Sequence, residues 1–268
     1  MSERQEDHAL LLDAVRDAGA LALDFFRGEV RHWEKGPGDP VSEADHAVND
    51  LLEERLRSAR PGYGWLSEES TDAPERLEAE RLWVVDPIDG TRAFIRRRPE
   101  FTVAVALVEA GRPVVGAVYN PATAEFFEAV AGGGARLNGE PIRVSAQATL
   151  EGARLLSGKR IFERAGWSAP PEGASFATIN SIAYRVCLVA AGRHDACLSL
   201  TRKSDWDIAA AELILTEAGG VATTARGGGF VYNRPVPLHD SIITAGPALH
   251  GAIMGFLDAI ERPPEATW

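Results

Sequence analysis

Cysteine is scarce in this chain. Only Cys187 and Cys197 occur, with no CxxC pair and no metal-ligand spacing, which excludes a disulfide framework and a cysteine-built metal site. Two buried, reduced thiols in a cytoplasmic protein are the expectation. No apolar run reaches the roughly 18 residues that a membrane-spanning helix requires, so no transmembrane segment is expected. The N-terminal MSERQEDHALLL is charged and leads into an amphipathic helix, without the pattern of a signal peptide. Basic charge is also short, with 28 Lys and Arg against 39 Asp and Glu and a net charge of −11. A nucleic-acid polymer or an anionic membrane calls for the opposite sign, whereas a small anionic ligand needs only a locally basic site. Also missing are a GK[ST] after the glycine-rich AGGGARLNG and the D-x-[DN]-x-[DN]-G-x₅-E loop of an EF-hand. There is no internal repeat and no low-complexity tract.

What is present is ordinary globular material: 45% hydrophobic and 25% charged residues over a chain of 268, enough to bury a full core. Leu11, Leu12, Val15, Ala18, Ala22 and Phe25 recur at helical spacing within residues 6–26, and Gly28 stops that helix. A second helix starts at Ser42, with Val48, Leu51, Leu52 and Leu56 inward and Pro61-Gly62 at its end. The EKGPGDP stretch between the two reads as a Gly/Pro loop. From Leu82 the runs WVVD, FTVAVALV, PVVGAVYN and AEFFEAV, separated by short turns, predict an antiparallel meander. AGGGARLNG reads as a loop and hairpin. Beyond Ser145 strands and helices alternate: ARLLSG a strand, SIAYRVCLVAAG a helix, DACLSL a strand. DIAAAELILTEAGG is a helix apolar on nearly every face and therefore buried between layers. GWSAPPEGAS (166–175) is a polar, Pro-rich connection. The result is an α+β half followed by an α/β half, with helices sandwiching sheets.

Carboxylates carry the chemistry. In WVVDPIDGT, Pro87 fixes φ and Gly90 permits a left-handed turn, so DPIDG should fold sharply and aim Asp86 and Asp89 the same way. Taken alone, this stretch serves equally as a plain turn. Its company is what matters: Glu68 and Glu69 in WLSEES, Asp205 and Asp207 in SDWD, and Asp45 in the first turn of the second helix. Oxygen ligands from separate segments, without His or Cys, suit Mg²⁺ or Mn²⁺ rather than zinc. Unpaired carboxylates gathered together repel one another and call for a cation. Ser42-x-x-Asp45 also reads as a capping box and Asp207 as a helix-dipole partner. The Arg96-Arg97-Arg98 run reads as a solvated loop or, near the active loop, as a run that draws in anions.

The segments SEES, WVVDPIDGT and WDIAAAELILTEAGG, in this order and spacing, resemble the inositol monophosphatase superfamily of Mg²⁺-dependent, lithium-sensitive phosphatases. Trp83 to Phe94 meets every fixed position of its WxxDPxDGTxxF signature, and Trp206 to Gly220 meets WDxAAxxxxxxEAGG. With the segment from Lys35 to Asp45, the likeness covers nearly the whole chain. It implies a layered αβαβα sandwich of the sugar-phosphatase type. Residues 1–145 would form an α+β part with most ligands, and 146–268 an α/β part with Asp207 and much of the substrate pocket. The resemblance implies that Glu68, Asp86 and the Ile88 carbonyl hold one metal, and that Asp86 bridges to a second held with Asp89 and Asp207. A third metal near Glu68 occurs in the family. Thr91, paired with Asp45, would orient the attacking water for in-line displacement, and the Gly90 and Thr91 amides would meet the phosphate. Glu69 would lie beside the ligands, and Asp205 outside the ligand set as a surface or supporting acid. The resemblance also implies a homodimer.

For the substrate, the strand beginning EFTV, Arg185 in the helix before CLVAAG, and Arg202-Lys203 before SDWD lean toward the 3′(2′),5′-bisphosphate nucleotidase branch. Added cations would serve a second phosphate. Leu200 stands seven residues before Asp207, where inositol-type enzymes usually carry an acid, and Asn180-Ser181 stands where a Gly-Ser or Gly-Thr pair is common. The expectation is hydrolysis of adenosine 3′,5′-bisphosphate to AMP. The alternative is an inositol-1-monophosphatase or related sugar-phosphate phosphatase. A non-catalytic metal or nucleotide binder would be expected to lack a ligand or Thr91, and the motif set is intact.

Overall fold

Ser2 starts the first helix. Its hydroxyl accepts from the Gln5 amide while the Gln5 side chain accepts from the Ser2 amide, so two donors at the helix start are satisfied. In the computed structural model, which describes residues 2–157 and 171–259, this helix α1 spans Glu3–Arg27 and buries Leu11, Val15, Ala18 and Ala22. Helix α2 (Glu43–Ala59) begins behind Ser42 and buries Val48, Leu52 and Leu56. The loop expected between them is instead a two-stranded ribbon, β1 (His32–Gly36) and β2 (Asp39–Ser42), with Glu34 opposite Pro40. A ribbon of two strands has outer edges where proline's missing amide costs nothing, and Gly38 supplies the positive φ of the turn. Gly and Pro mark the turn, and the residues around them hide the strands.

The meander is as expected and forms most of a seven-stranded sheet. Its strands lie in chain order: β3 (Gly64–Ser67), β4 (Arg81–Asp89), β5 (Thr102–Glu109), β6 (Arg112–Asn120), β7 (Glu125–Val130), β8 (Ala135–Leu137) and β9 (Glu140–Pro141). Only the β3–β4 pair is parallel. Alternation along β4 sends Trp83 and Val85 to a core shared with α1 and α2, and Leu82 and Val84 to the opposite core. That second core is built with α4 (Ile182–Ala190) and α5 (Asp205–Glu217).

Behind these two helices lies a five-stranded sheet in the order β11 (Ser175–Ala177), β10 (Arg154–Leu156), β12 (Ala196–Ser199), β16 (Ile242–Ala245), β14 (Val221–Thr223). Its outer face packs Leu155, Leu198 and Ile243 against Leu249 and Ile253 of α6 (Pro247–Ala259). Helices and sheets therefore alternate as α, β, α, β, α, the layered sandwich that the sequence implied. Of the connection expected over 166–175, residues up to Pro170 lie outside the described residues. Both cysteines are free and fully buried, and among the described residues no helix is long and apolar enough to cross a membrane. The Arg96–Arg98 run is not simply solvated: Arg97, at φ 57°, donates to the carbonyls of Phe25, Phe26 and Gly28 and so closes the end of α1.

Helix α5 lies directly on β6. A Cβ added to Gly116 would come 3.1 Å from Ala210 Cα and 3.2 Å from the Ala210 carbonyl oxygen, so this approach requires glycine. Gly116→Ala is expected to lower stability by about 1–3 kcal/mol through overpacking, read as a lower urea midpoint at unchanged slope. An unchanged midpoint would mean that helix and sheet separate without cost.

Candidate active site

Two acids three residues apart on a regular strand point to opposite faces. Asp86 pairs with Ala104 and Asp89 with Thr102, so three steps on β4 match two on β5. The extra residue makes a bulge at Pro87-Ile88 and brings Asp89 to the face of Asp86, toward α4 and α5. Ile88 packs on the other side with Trp83 and Val85. The sharp turn expected for DPIDG is therefore a bulge in a strand that runs on to Asp89. The chain turns only at Gly90, whose φ is +97° and where a Cβ would meet the Glu100 carbonyl oxygen at 2.7 Å.

Asp86, Asp89 and Asp207 place carboxylate oxygens within 4.8 Å of one another. Glu68 stands beside Asp86 because Ser67 pairs with Val85 in parallel register and the Glu68 amide donates to the Val85 carbonyl at 3.2 Å. Its carboxylate accepts from Lys35 Nζ at 3.1 Å, and the same ammonium donates to Glu69 at 2.6 Å. Three helices turn their amino ends toward the group. Asp89 Oδ2 accepts from Ser181 Oγ and the Ala183 amide, both at 2.6 Å, at the start of α4. Asp207 Oδ2 accepts from the Ser204 amide at 2.6 Å in the first turn of α5. Asp45, in the first turn of α2, accepts from the Ser42 amide at 2.9 Å and hydroxyl at 2.6 Å, and its other oxygen lies 3.0 Å from Thr91 Oγ1. Asp86 is the exception. It is fully buried, and its Oδ1 has no hydrogen-bond partner.

Burial dominates the electrostatics. It pushes Asp86 well above the usual carboxylate range, and the charges of Glu68, Asp89 and Asp207 push the same way. Asp207 rises to about 7, through burial and then the charge of Asp89. Glu68 rises to about 8, through burial only partly offset by Lys35. Asp45 and Asp89 are also raised by burial, against the hydrogen bonds from Ser42 and Ser181. For Lys35, burial pulls downward, but Glu68 and Glu69 more than offset it and raise its pKa. Buried hard-oxygen donors that repel one another, one of them unpartnered, are the donor set of a small divalent cation such as Mg²⁺ or Mn²⁺.

The basic residues are placed unevenly. Arg185 donates to the Asn180 carbonyl at 3.0 Å and keeps a buried, unpartnered Nε. Its charge favours ionisation of Asp89 and Asp207. Lys203 folds onto its own loop, donating to Thr201 Oγ1 at 2.7 Å, and burial pushes its pKa down against the charge of Asp207. Arg202 is not brought into this group: its side chain is 64% exposed and lies 4.0 Å from Asp240. Asp205 is no surface acid, being fully buried and hydrogen-bonded to His239. Sequence reasoning overlooked the hold of Lys35 on Glu68 and that of Ser181 on Asp89. A signal existed for the first: the chain has only three lysines, Lys35, Lys159 and Lys203, and two of them stand at these acids.

The family model for "Inositol monophosphatase family" matches residues 3–260. The chain belongs to the inositol monophosphatase family. Members are metal-dependent phosphoric monoester hydrolases, and the acidic group described above is suited to that chemistry. The inositol-1-monophosphatase of Rhizobium meliloti is 38% identical over 232 residues, 82% of this chain and 86% of that protein. The Nus factor SuhB of Escherichia coli is 34% identical over 226 residues, 80% and 84% of the two chains. The crystal structure of the extragenic suppressor protein SuhB from Bartonella henselae superposes with a TM-score of 0.82 at 30% identity, covering 93% of this chain and 97% of that one.

The pH dependence of stability follows from the raised groups. Glu68 and Asp207 titrate at about 8 and about 7 in the folded protein, above the roughly 4 of an unfolded chain. The stability they contribute is fully present below about pH 4 and is lost as pH rises through 7 to 8. His194 and His250, pushed down by burial, act oppositely, so the comparison is with Asp207→Asn, in which they are unchanged. In chelator-treated protein, wild type is expected to fall behind Asp207→Asn in melting temperature between pH 5 and 8. Added Mg²⁺ should raise wild type most at pH 8. A difference independent of pH would contradict the raised carboxylates.

Proposed function

We propose that this chain is a Mg²⁺-dependent phosphomonoesterase acting on the phosphate of a small polyol, of the inositol 1-phosphate type. Asp86, Asp89, Asp207, Glu68 and the Ile88 carbonyl would hold two cations in this reading, and Asp45 and Thr91 would orient the attacking water. The observation that carries it is the buried Asp86 carboxylate, unpartnered at Oδ1 and set among Asp89 and Asp207. Bound Mg²⁺ supplies Lewis acidity that activates water and stabilises charge on the phosphate and the leaving oxygen.

The protein's own groups position the rest. Thr91 Oγ1 lies 3.0 Å from both Asp45 Oδ1 and the Ile88 carbonyl, yet its hydroxyl has a single proton. Were the Ile88 oxygen engaged by a cation, that proton would go to Asp45. The Thr91 oxygen is then left as an acceptor for a water proton. Asp45 is fixed at the start of α2 by Ser42, so the water is oriented by a rigid pair. The left-handed Gly90 brings the amides at the start of α3 (Thr91–Ile95) to the same end of β4, where the phosphate would meet them. Glu68 is already paired with Lys35, so a third cation at Glu68 would compete with that ammonium.

The bisphosphate nucleotidase expectation gives way to its alternative. Relatives spanning most of the chain are named inositol-1-monophosphatase. The basic trio that favoured a second phosphate is also divided, with Arg202 turned outward. With Mg²⁺, phosphate release from inositol 1-phosphate is expected to exceed that from adenosine 3′,5′-bisphosphate, and a clear preference for the nucleotide would restore the other reading. Thr91→Ala is expected to lower kcat by about 10²- to 10⁴-fold while Mg²⁺ affinity is kept. A near-normal kcat would remove Thr91 from the water-orienting role.

A further inference from the structure

Asp205 is fully buried two residues before Asp207, and the ligand reading gives it no task. One of its oxygens accepts from the Asn233 amide at 2.8 Å, and the other lies 2.8 Å from His239 Nε2. An Arg234 nitrogen, which can only donate, lies 3.3 Å from His239 Nδ1. This assigns the tautomer: Nδ1 accepts, and the proton sits on Nε2, donated to Asp205. The ring is further held edge-on by Phe230 and Tyr232, at centroid distances of 5.0 and 5.5 Å.

The backbone around Asp205 is tied to the same segment. Lys203 and Ser204 (β13) pair antiparallel with His239 and Leu238 (β15), and the Asp205 amide donates to the Pro237 carbonyl at 3.0 Å. Ser204 is the residue whose amide holds the Asp207 carboxylate. At the other end, Asn233 is gripped by Arg76, whose guanidinium donates to Asn233 Oδ1 at 2.7 Å and whose carbonyl accepts from Asn233 Nδ2 at 3.1 Å. Arg76 is itself buried and bidentate to Asp72, which lies four residues past Glu68 in the same segment. An unbroken polar chain thus joins the segment carrying Glu68 to the start of the helix carrying Asp207.

We propose that Asp205 is a positioning residue for the metal centre. Through the Arg76–Asn233–Asp205–His239 clasp it fixes the first turn of α5, and so holds the Asp207 carboxylate at the distance from Asp86, Asp89 and Glu68 that a cation needs. The proposal rests on the metal-centre reading above. The clasp touches neither water nor phosphate, so its loss acts on cation affinity and not on the chemical step.

The test is Mg²⁺ titration calorimetry on the full chain, paired with kcat at saturating Mg²⁺. Asp205→Asn keeps the shape but turns an amide donor toward the donating His239. It is expected to weaken Mg²⁺ binding by about tenfold, the scale of losing a supporting partner of a metal site, with kcat within about threefold of wild type. His239→Gln, which retains a donor, is expected to bind Mg²⁺ nearly as wild type does, and His239→Leu to match Asp205→Asn. Wild-type Mg²⁺ affinity in Asp205→Asn and His239→Leu, whatever their melting temperatures, would overturn the proposal and leave the clasp a purely structural contact. If Asp205→Asn does not fold, the contrast between the two His239 variants decides on the same readout. Asp207→Asn separates the layers. Wild-type Mg²⁺ affinity in that variant would refute the metal-centre reading itself, whereas its loss alongside unaffected Asp205 and His239 variants would refute only the clasp.

Discussion

Like charges buried at close range set the terms for this fold. Asp86 and Asp89 are withdrawn from water, Asp207 and Glu68 are half-buried, and the four raise one another's pKa, so the ionised group is stable only where something compensates each charge. The surrounding structure supplies compensation nearly one partner at a time. The amino end of α4 meets Asp89, that of α5 meets Asp207, that of α2 meets Asp45, and Lys35 reaches Glu68 from the β1–β2 ribbon. These are favourable uses of helix starts, whose free amides and positive dipole end suit an anion. Asp86 receives none of this. Every other acid of the group is partly neutralised from within the protein, and Asp86, whose Oδ1 has no partner, is not.

That arrangement explains why so much of the chain serves one small region. The proposed ligands come from the end of β3 and from β4, neighbours in one sheet, and from α5, a helix of the next layer far along the chain. Their positions depend on a bulge that flips one residue of β4, on the parallel register that sets Glu68 beside Asp86, and on the seating of α5 against Gly116. None of these contacts is chemical in the catalytic sense. Each decides whether carboxylates meet or miss by an ångström or more, which for a small cation with strict ligand distances is decisive.

The acids themselves were readable from sequence because their neighbours are local. Pro87 and Gly90 flank Asp86 and Asp89, Ser42 sits three residues before Asp45, and Trp206 precedes Asp207 at the head of a helix apolar on nearly all sides. The alternating apolar runs likewise announced the meander, and the order of strands and helices announced the layers. What escaped depends on partners distant in sequence. Nothing near EKGPGDP shows that it pairs as a ribbon and delivers Lys35 across to Glu68. Nothing near Asp205 points to His239, 34 positions on. The bulge was mistaken for a tight turn because Pro and Gly favour both, and only the register with β5 tells them apart. Arg202 and Lys203 looked equivalent in sequence, but Arg202 precedes the short β13 strand and is exposed, while Lys203 begins that strand and is half-buried.

The most direct measurement is anomalous X-ray scattering from crystals of the full chain soaked in Mn²⁺, chosen because its scattering reports position without reference to activity. The expected result is density bridging Asp86, Asp89 and Asp207, with Asp86 Oδ1 among the contacting atoms. Density elsewhere, or none at these carboxylates at millimolar Mn²⁺ and neutral pH, would contradict the claim that the unpartnered Asp86 is held for a cation.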